Sequence, residues 1–315
     1  MTDEVRPGPV AEPEDEDAPP PPGPGRLLAR FFLVPLLVVG TAVGVFLVFN
    51  LLTFERRTPR EYLQEVRGAG PNRRWQAAFE LSRKIIGMPP GPERDALAAD
   101  TLQIFRSLSP TRAEDVPVRR YLTLALGRLG EEAAVPALIE AAKDPDPETR
   151  LYAVWALGML ADPRSYDAVI DASQSEDPGM RKMAAYVLGK LDDPRAVPRL
   201  QVLLEDRVAD VRWNSAIALA QLGDPSGLPV LRSIVDRGAL ARQAAISADQ
   251  AEDAMVNALK AFALLKDGES LPLLEKVARE DPNLRVRAAA RQAVEATRGA
   301  SPASRLERSE PVLVA

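Results

Sequence analysis

Between residues 118 and 298, apolar positions recur at three- and four-residue spacing, and the pattern itself recurs along the chain. Leu126, Leu157, Leu188 and Leu219 are each 31 residues apart, as are Leu129, Leu160, Leu191 and Leu222. With the small residues Ala125, Ala156, Val187 and Ala218 they form the buried stripe of one amphipathic helix. Gly127, Gly158 and Gly189 keep the same register, and Ala220 takes the fourth place. A second set of columns follows in each unit: Val135 and Leu138, Tyr166 and Val169, Val197 and Leu200, Leu228 and Leu231. This spacing predicts a second helix packed on the first after a Pro-marked turn. Neither helix buries its apolar face alone, so a period of this length predicts stacked helix pairs.

The polar columns have local explanations. Asp115, Asp146, Asp177 and Asp281 stand four residues before Arg119, Arg150, Arg181 and Arg285. A carboxylate there can cap the helix that follows, with Pro178 and Pro282 at the first helical position. The arginines invite a reading as a phosphate ladder. Pairing to a cap or a neighbouring unit accounts for them better.

The units "RRYLTLALGRLGEEAAVPALIEAAKDPDPE", "RLYAVWALGMLADPRSYDAVIDASQSEDPG" and "RKMAAYVLGKLDDPRAVPRLQVLLEDRVAD" resemble HEAT repeats, in the short form also found in phycobilin lyases. The resemblance covers about residues 118–298. It implies an all-α fold, a right-handed α-solenoid of antiparallel helix pairs whose second helices line a concave, partner-binding surface. It implies no single activity. Among relatives, deoxyhypusine hydroxylases hold di-iron with His-Glu motifs, and phycobilin lyases attach chromophores.

Outside the regular repeats, "NRRWQAAFELSRKI" and "ERDALAADTLQIFRSLS" read as a divergent first helix pair. Residues 55–112 carry a net charge of +4, which suits either a segment lying against anionic lipid or a solvated helix pair. Twelve extra residues precede the fifth copy, around 238–255, where a loop or a lengthened helix at one edge of the stack is expected. The resulting division is a juxtamembrane segment 55–112, a solenoid 113–298 and a disordered tail 299–315.

The N-terminal region differs in kind. Residues 1–25 hold seven acids, one arginine and eight prolines, with almost nothing to bury, and read as a disordered acidic arm. Residues 26–54 read as a transmembrane segment, since Phe31 to Phe54 are 24 uncharged, mostly apolar residues, about 36 Å of helix. The run is long for a cleaved signal peptide and lacks a small-x-small cleavage site. Gly40 and Gly44 provide a GxxxG spacing that could let two copies of the helix approach. Six arginines follow the span within about twenty residues, against Arg26 and Arg30 before it. This predicts a cytoplasmic solenoid, with the outside orientation as the alternative.

Composition narrows the function. Cysteine and histidine are absent, which removes thiol nucleophiles, Cys/His zinc sites and the His-Glu iron site; no cofactor or metal is expected. Residues 113–315 carry a net charge of −5, so no overall nucleic-acid footprint exists. The expectation is a non-catalytic, membrane-anchored scaffold for a protein partner, with a lyase-like or other accessory enzyme, or a nucleic-acid-binding solenoid, as alternatives. Candidate groove residues are the outward columns of the second helices. These are Gln201, Arg232 and Glu275 after Ile139 and Ile170, and Glu205, Asp236 and Arg279 after Lys143 and Gln174.

Overall fold

The computed structural model describes residues 25, 29–53, 57–243 and 246–300, and no strand occurs among them. The acidic arm, apart from residue 25, and most of the C-terminal tail lie outside the described residues. The chain divides into two units, Met1–Arg57 and Thr58–Ala315. In the first, a π-helical turn over Ala29–Leu33 leads into helix α1, Val34–Thr53. The stretch Phe31–Phe49 has a mean hydropathy of 2.6, and it is long and apolar enough to cross a membrane.

The second unit is an α-solenoid. Helix α2 (Pro59–Gly68) precedes the divergent pair α3 (Pro71–Lys84) and α4 (Pro92–Ser107). Four pairs follow at the predicted step: α5 (Val116–Leu129) with α6 (Val135–Ala141), α7 (Pro147–Leu160) with α8 (Tyr166–Ser173), α9 (Pro178–Lys190) with α10 (Val197–Leu203), and α11 (Ala209–Gln221) with α12 (Leu228–Val235). The insertion forms α13 (Arg237–Gln243) and lengthens the next first helix, α14 (Ala248–Leu265), which pairs with α15 (Leu271–Glu280) before the closing helix α16 (Leu284–Ala300). The insertion thus lengthens a helix, one of the two expected outcomes, and adds a short helix in place of a plain loop.

After the divergent pair, each turn inside a pair is built the same way. The first helix ends on a residue in the left-handed region, at Gly130, Ala161, Asp192, Gly223 and Lys266. An acid follows one position later, and the carboxylates of Glu131, Asp162, Asp193, Asp224 and Asp267 each accept from a backbone N–H two residues on. This caps a short 3-10 turn that reverses the chain.

The leucine and glycine columns set the stack. Leu126, Leu157, Leu188, Leu219 and their counterpart Phe262 are fully buried, as are Leu138, Leu200, Leu231 and Leu274 of the second helices. The glycines mark where consecutive first helices touch. A Cβ on Gly127 would stand 2.8 Å from the Ala156 Cα, and one on Gly189 would stand 2.9 Å from the Ala218 Cα.

The arginine column holds junctions together. Arg119, Arg150, Arg181 and Arg212 each donate to backbone carbonyls of the loop leading into their own helix, at Leu108, Asp144, Ser175 and Asp206 respectively. Arg119 also grips Asp144, at 3.1 and 2.8 Å to one carboxylate oxygen, and Arg181 grips both oxygens of Asp206 at 2.7 and 3.0 Å. Of the four predicted caps, Asp146 and Asp177 accept from their helices. Asp115 and Asp281 do not. Asp115 turns to Arg74 and the Ser109 N–H, and Asp281 turns to Arg237, while Asn283 caps α16 and Pro282 lies ahead of it. Asp146 does both, capping its helix through the Thr149 N–H and accepting from Arg120 at 2.9 and 3.2 Å, so a neighbour's guanidinium adds a strong charge-assisted bond and does not always displace a cap.

The Arg181 hydrogen bonds hold the Asp206 carboxyl below its usual range. A lowered folded-state pKa adds stability that is complete above the ordinary value of about 3.9 and is lost as pH falls through the folded value. Thermal melts should therefore be flat near neutrality and fall below about pH 4, and Asp206→Asn should flatten part of that acid slope. An unchanged slope in the variant would contradict the role given to this pair.

Candidate partner-binding surfaces

The six predicted second-helix residues all lie outside the core, and three of them also tie neighbouring units. Gln201 donates to the Ser226 Oγ at 3.2 Å. Arg232 donates to the Ser270 Oγ at 2.9 Å and to Asp267 at 3.0 Å. Glu275 accepts from Arg298 at 2.7 Å, and the Asp236 carboxylate accepts from the Gly238 and Ala239 N–H groups to start α13. Glu205 and Arg279 are exposed, with Arg279 only 3.8 Å from the adjacent Glu280. Reversing the charge at Arg232 would thus break a junction as well as change a surface, whereas Glu205 and Arg279 can be altered at little cost.

A second surface, not identified from the sequence, lies on the first helices of the middle and later units. There a groove of about 480 Å³ opens beside the insertion. Its lining follows the repeat: Trp155, Tyr186 and Ile217 are 31 residues apart, as are Met183 and Asn214, while Asn214 to Asn257 and Asp210 to Asp253 span the 43-residue step of the insertion. Trp213, Ile234, Ile246 and Gln250 complete the walls. The signal was present as aromatic and amide residues in outward first-helix columns. The sequence expectation placed the groove on the second helices, whose outward columns vary from unit to unit.

Charge in the groove is balanced by exposed pairs. Lys182 reaches Asp210 at 3.2 Å, and Asp253 meets Arg285 at 3.0 Å. The aromatic rings already attract cations of the chain itself, with the Arg128 guanidinium 5.8 Å from the Trp155 ring centre and the Lys190 ammonium 5.6 Å from that of Tyr186. Burial lowers the Arg128 pKa, an effect that Tyr152 opposes. Among the described residues, no cluster of acids has the form of a metal site.

Comparison with known proteins agrees with this architecture. A family model of HEAT repeats matches residues 108–178 and again 166–249. The complex of CpcE and CpcF of phycocyanin lyase from Nostoc sp. PCC7120 shares the fold at 21% identity and a TM-score of 0.52, covering 78% of this chain and 96% of that one. The Escherichia coli protein YibA aligns at 16% identity and a TM-score of 0.49 over 74% of this chain and 81% of its own. Human deoxyhypusine hydroxylase aligns at 18% identity with a TM-score of 0.35, over 84% of this chain and 99% of its own. No curated protein matches the sequence. The helix pairs within residues 108–249 match the HEAT-repeat model, and the second unit has the α-solenoid fold.

Proposed function

We propose that this chain is a membrane-anchored scaffold that holds a protein partner and performs no chemistry of its own. One observation carries the reading. The polar residues that recur with the repeat are absorbed by the stack, as junction arginines and turn or helix caps, while the outward second-helix residues change from unit to unit. The fold is maintained by what repeats, and recognition is left to what varies. Glu205 and Arg279 belong to the second set. Replacing them together, Glu205→Arg with Arg279→Glu, should remove partner crosslinking in cells while leaving helical content and melting almost unchanged, because exposed charges contribute little to stability. Retained crosslinking would remove this face from the reading, and turnover of a substrate by the purified chain would end the non-catalytic one.

In this reading α1 is an uncleaved anchor with the solenoid on the cytoplasmic side, supported by the length and hydropathy of Phe31–Phe49 and the arginines after it. Protease added to sealed cells should spare the solenoid, and its digestion would reverse the orientation. Gly40 and Gly44 lie one turn apart on α1 with nothing within 4 Å of where a Cβ would sit, which leaves a strip for a second copy of the helix.

A further inference from the structure

We infer that the loop between α3 and α4 is a membrane-contacting foot: its apolar tip, led by Ile86, enters the headgroup boundary of the bilayer that α1 crosses and gives the solenoid a second hold on it. The inference rests on the reading of α1 as an anchor.

Residues 85–92, IIGMPPGP, contain no polar side chain. Ile85 is buried and Met88 packs half-buried against the core, whereas Ile86 is 63% exposed and Pro89, Pro90 and Pro92 are exposed. Contiguous exposed apolar surface of this kind marks a protein or membrane contact. The backbone is also prepared for a less polar medium, where an N–H group without a partner is costly. Ile86 and Met88 donate theirs to the Arg83 and Ile85 carbonyls at 3.2 and 3.1 Å, and the prolines at 89 and 90 have none to satisfy. Arg94 donates to the Met88 carbonyl at 2.9 Å, which holds the loop to α4.

Position selects lipid as the occupant. Residues 54–57 are all that join α1 to Thr58, the cap of α2, and five steps of chain span at most about 18 Å. The loop lies at that same end of its unit. A two-residue turn, 69–70, returns the chain from α2 into α3, with Arg74 donating to the Val66 carbonyl at 3.0 Å across it. Helices α2 and α4 start level, since Arg67 and Asp100, each eight residues past the first of its helix, meet at 3.7 Å. The loop that feeds α4 therefore stands beside the start of α2, and the short tether keeps both near the bilayer. Charge adds no preference, because Arg60, Arg83 and Lys84 share this end with Glu61, Glu80, Glu93 and Asp95. The apolar tip carries the contact, so neutral lipid suffices.

The chain has no cysteine, so Pro89→Cys provides a single attachment point for an environment-sensitive nitrobenzoxadiazole dye. The full chain is reconstituted in phosphatidylcholine vesicles, with and without a nitroxide on the lipid acyl chain. The dye at 89 should emit to the blue and be quenched by the nitroxide lipid. The same dye on Gln103→Cys, exposed on α4 about 16 Å farther from the loop, should do neither. Ile86→Glu should abolish both the shift and the quenching at 89, and Ile86→Leu should keep them. Neither substitution should change helical content, since the side chain is exposed. A dye in water at 89, equal quenching at 103, or quenching that survives Ile86→Glu would overturn the inference. So would a blue shift that nitroxide lipid leaves unquenched, which would show that the loop is covered by protein. An alkaline carbonate wash tests α1 separately. A chain that stays in the vesicles while the dye at 89 sits in water refutes the foot and leaves the anchor, and a chain that washes off refutes both.

Discussion

Replacing Arg119 with alanine should destabilise the solenoid by about 3–5 kcal/mol, the cost of stranding a buried charge. Arg119 is 9% exposed and Asp144 is 5% exposed. The guanidinium gives two hydrogen bonds to one Asp144 oxygen and a third, at 3.0 Å, to the Leu108 carbonyl, and it lies 4.5 Å from the centre of the Phe105 ring. Alanine removes all of these at once and leaves the Asp144 carboxylate with only the Asp146 N–H from its present partners. The attraction between the charges is not what is lost, because burial already offsets much of it; the uncompensated carboxylate dominates. Urea unfolding of Arg119→Ala and of Arg119→Ala with Asp144→Asn separates these contributions. The added Asn should recover a large part of the loss, and a double variant no more stable than the single would show that packing on Phe105 matters more.

Gly127→Ala is the second large effect. Alanine is favoured over glycine inside a helix by about 1 kcal/mol, so an open site would be stabilised. Here the new methyl would stand 2.6 Å from the Ala156 Cβ and 2.8 Å from its Cα. Backbone cannot rotate aside, so α5 and α7 must separate along the seam. Overpacking costs about 1–3 kcal/mol and outweighs the propensity gain. Gly158 provides the control, because its methyl would meet the side chain of Val187, with one Cγ at 2.6 Å. Val187→Ala should rescue Gly158→Ala, giving a favourable coupling in a double-mutant cycle. A stabilised Gly127→Ala would mean that the helices have more room than their contact implies.

The repeat was legible because each buried column is one packing requirement met again in every unit. Leu126 and its equivalents are all fully buried, and Gly127, Gly158 and Gly189 each meet the first helix of the next unit. The caps were half legible. Asp115 and Asp281 have the sequence setting of Asp146 and Asp177, and only the folded stack brings Arg74 and Arg237 to them. Outward residues carry no periodic requirement, so nothing local distinguishes Gln201, tied to Ser226, from Glu205, which stands exposed. The groove depends on Ile246 and Gln250 from the insertion meeting columns that begin at Trp155, a juxtaposition made in space rather than along the chain.

The arginine column has a mechanical consequence. Asp144 and Asp206 receive forward grips from Arg119 and Arg181, but Ser175 stands at the equivalent place after the second regular unit and Arg237 after the fourth. Among the described residues, Arg150 and Arg212 accordingly form no ion pair and hold only backbone carbonyls. Those two joints are tied by other residues: Arg199 donates to the Ser173 hydroxyl and carbonyl after α8, and Arg232 grips Asp267 and Arg237 grips Asp281 at the insertion. The groove walls, running from Trp155 to Asn257, cross both of these joints and the Arg181–Asp206 joint between them. The width of the groove is thus set by three joints, each fastened by a different set of side chains.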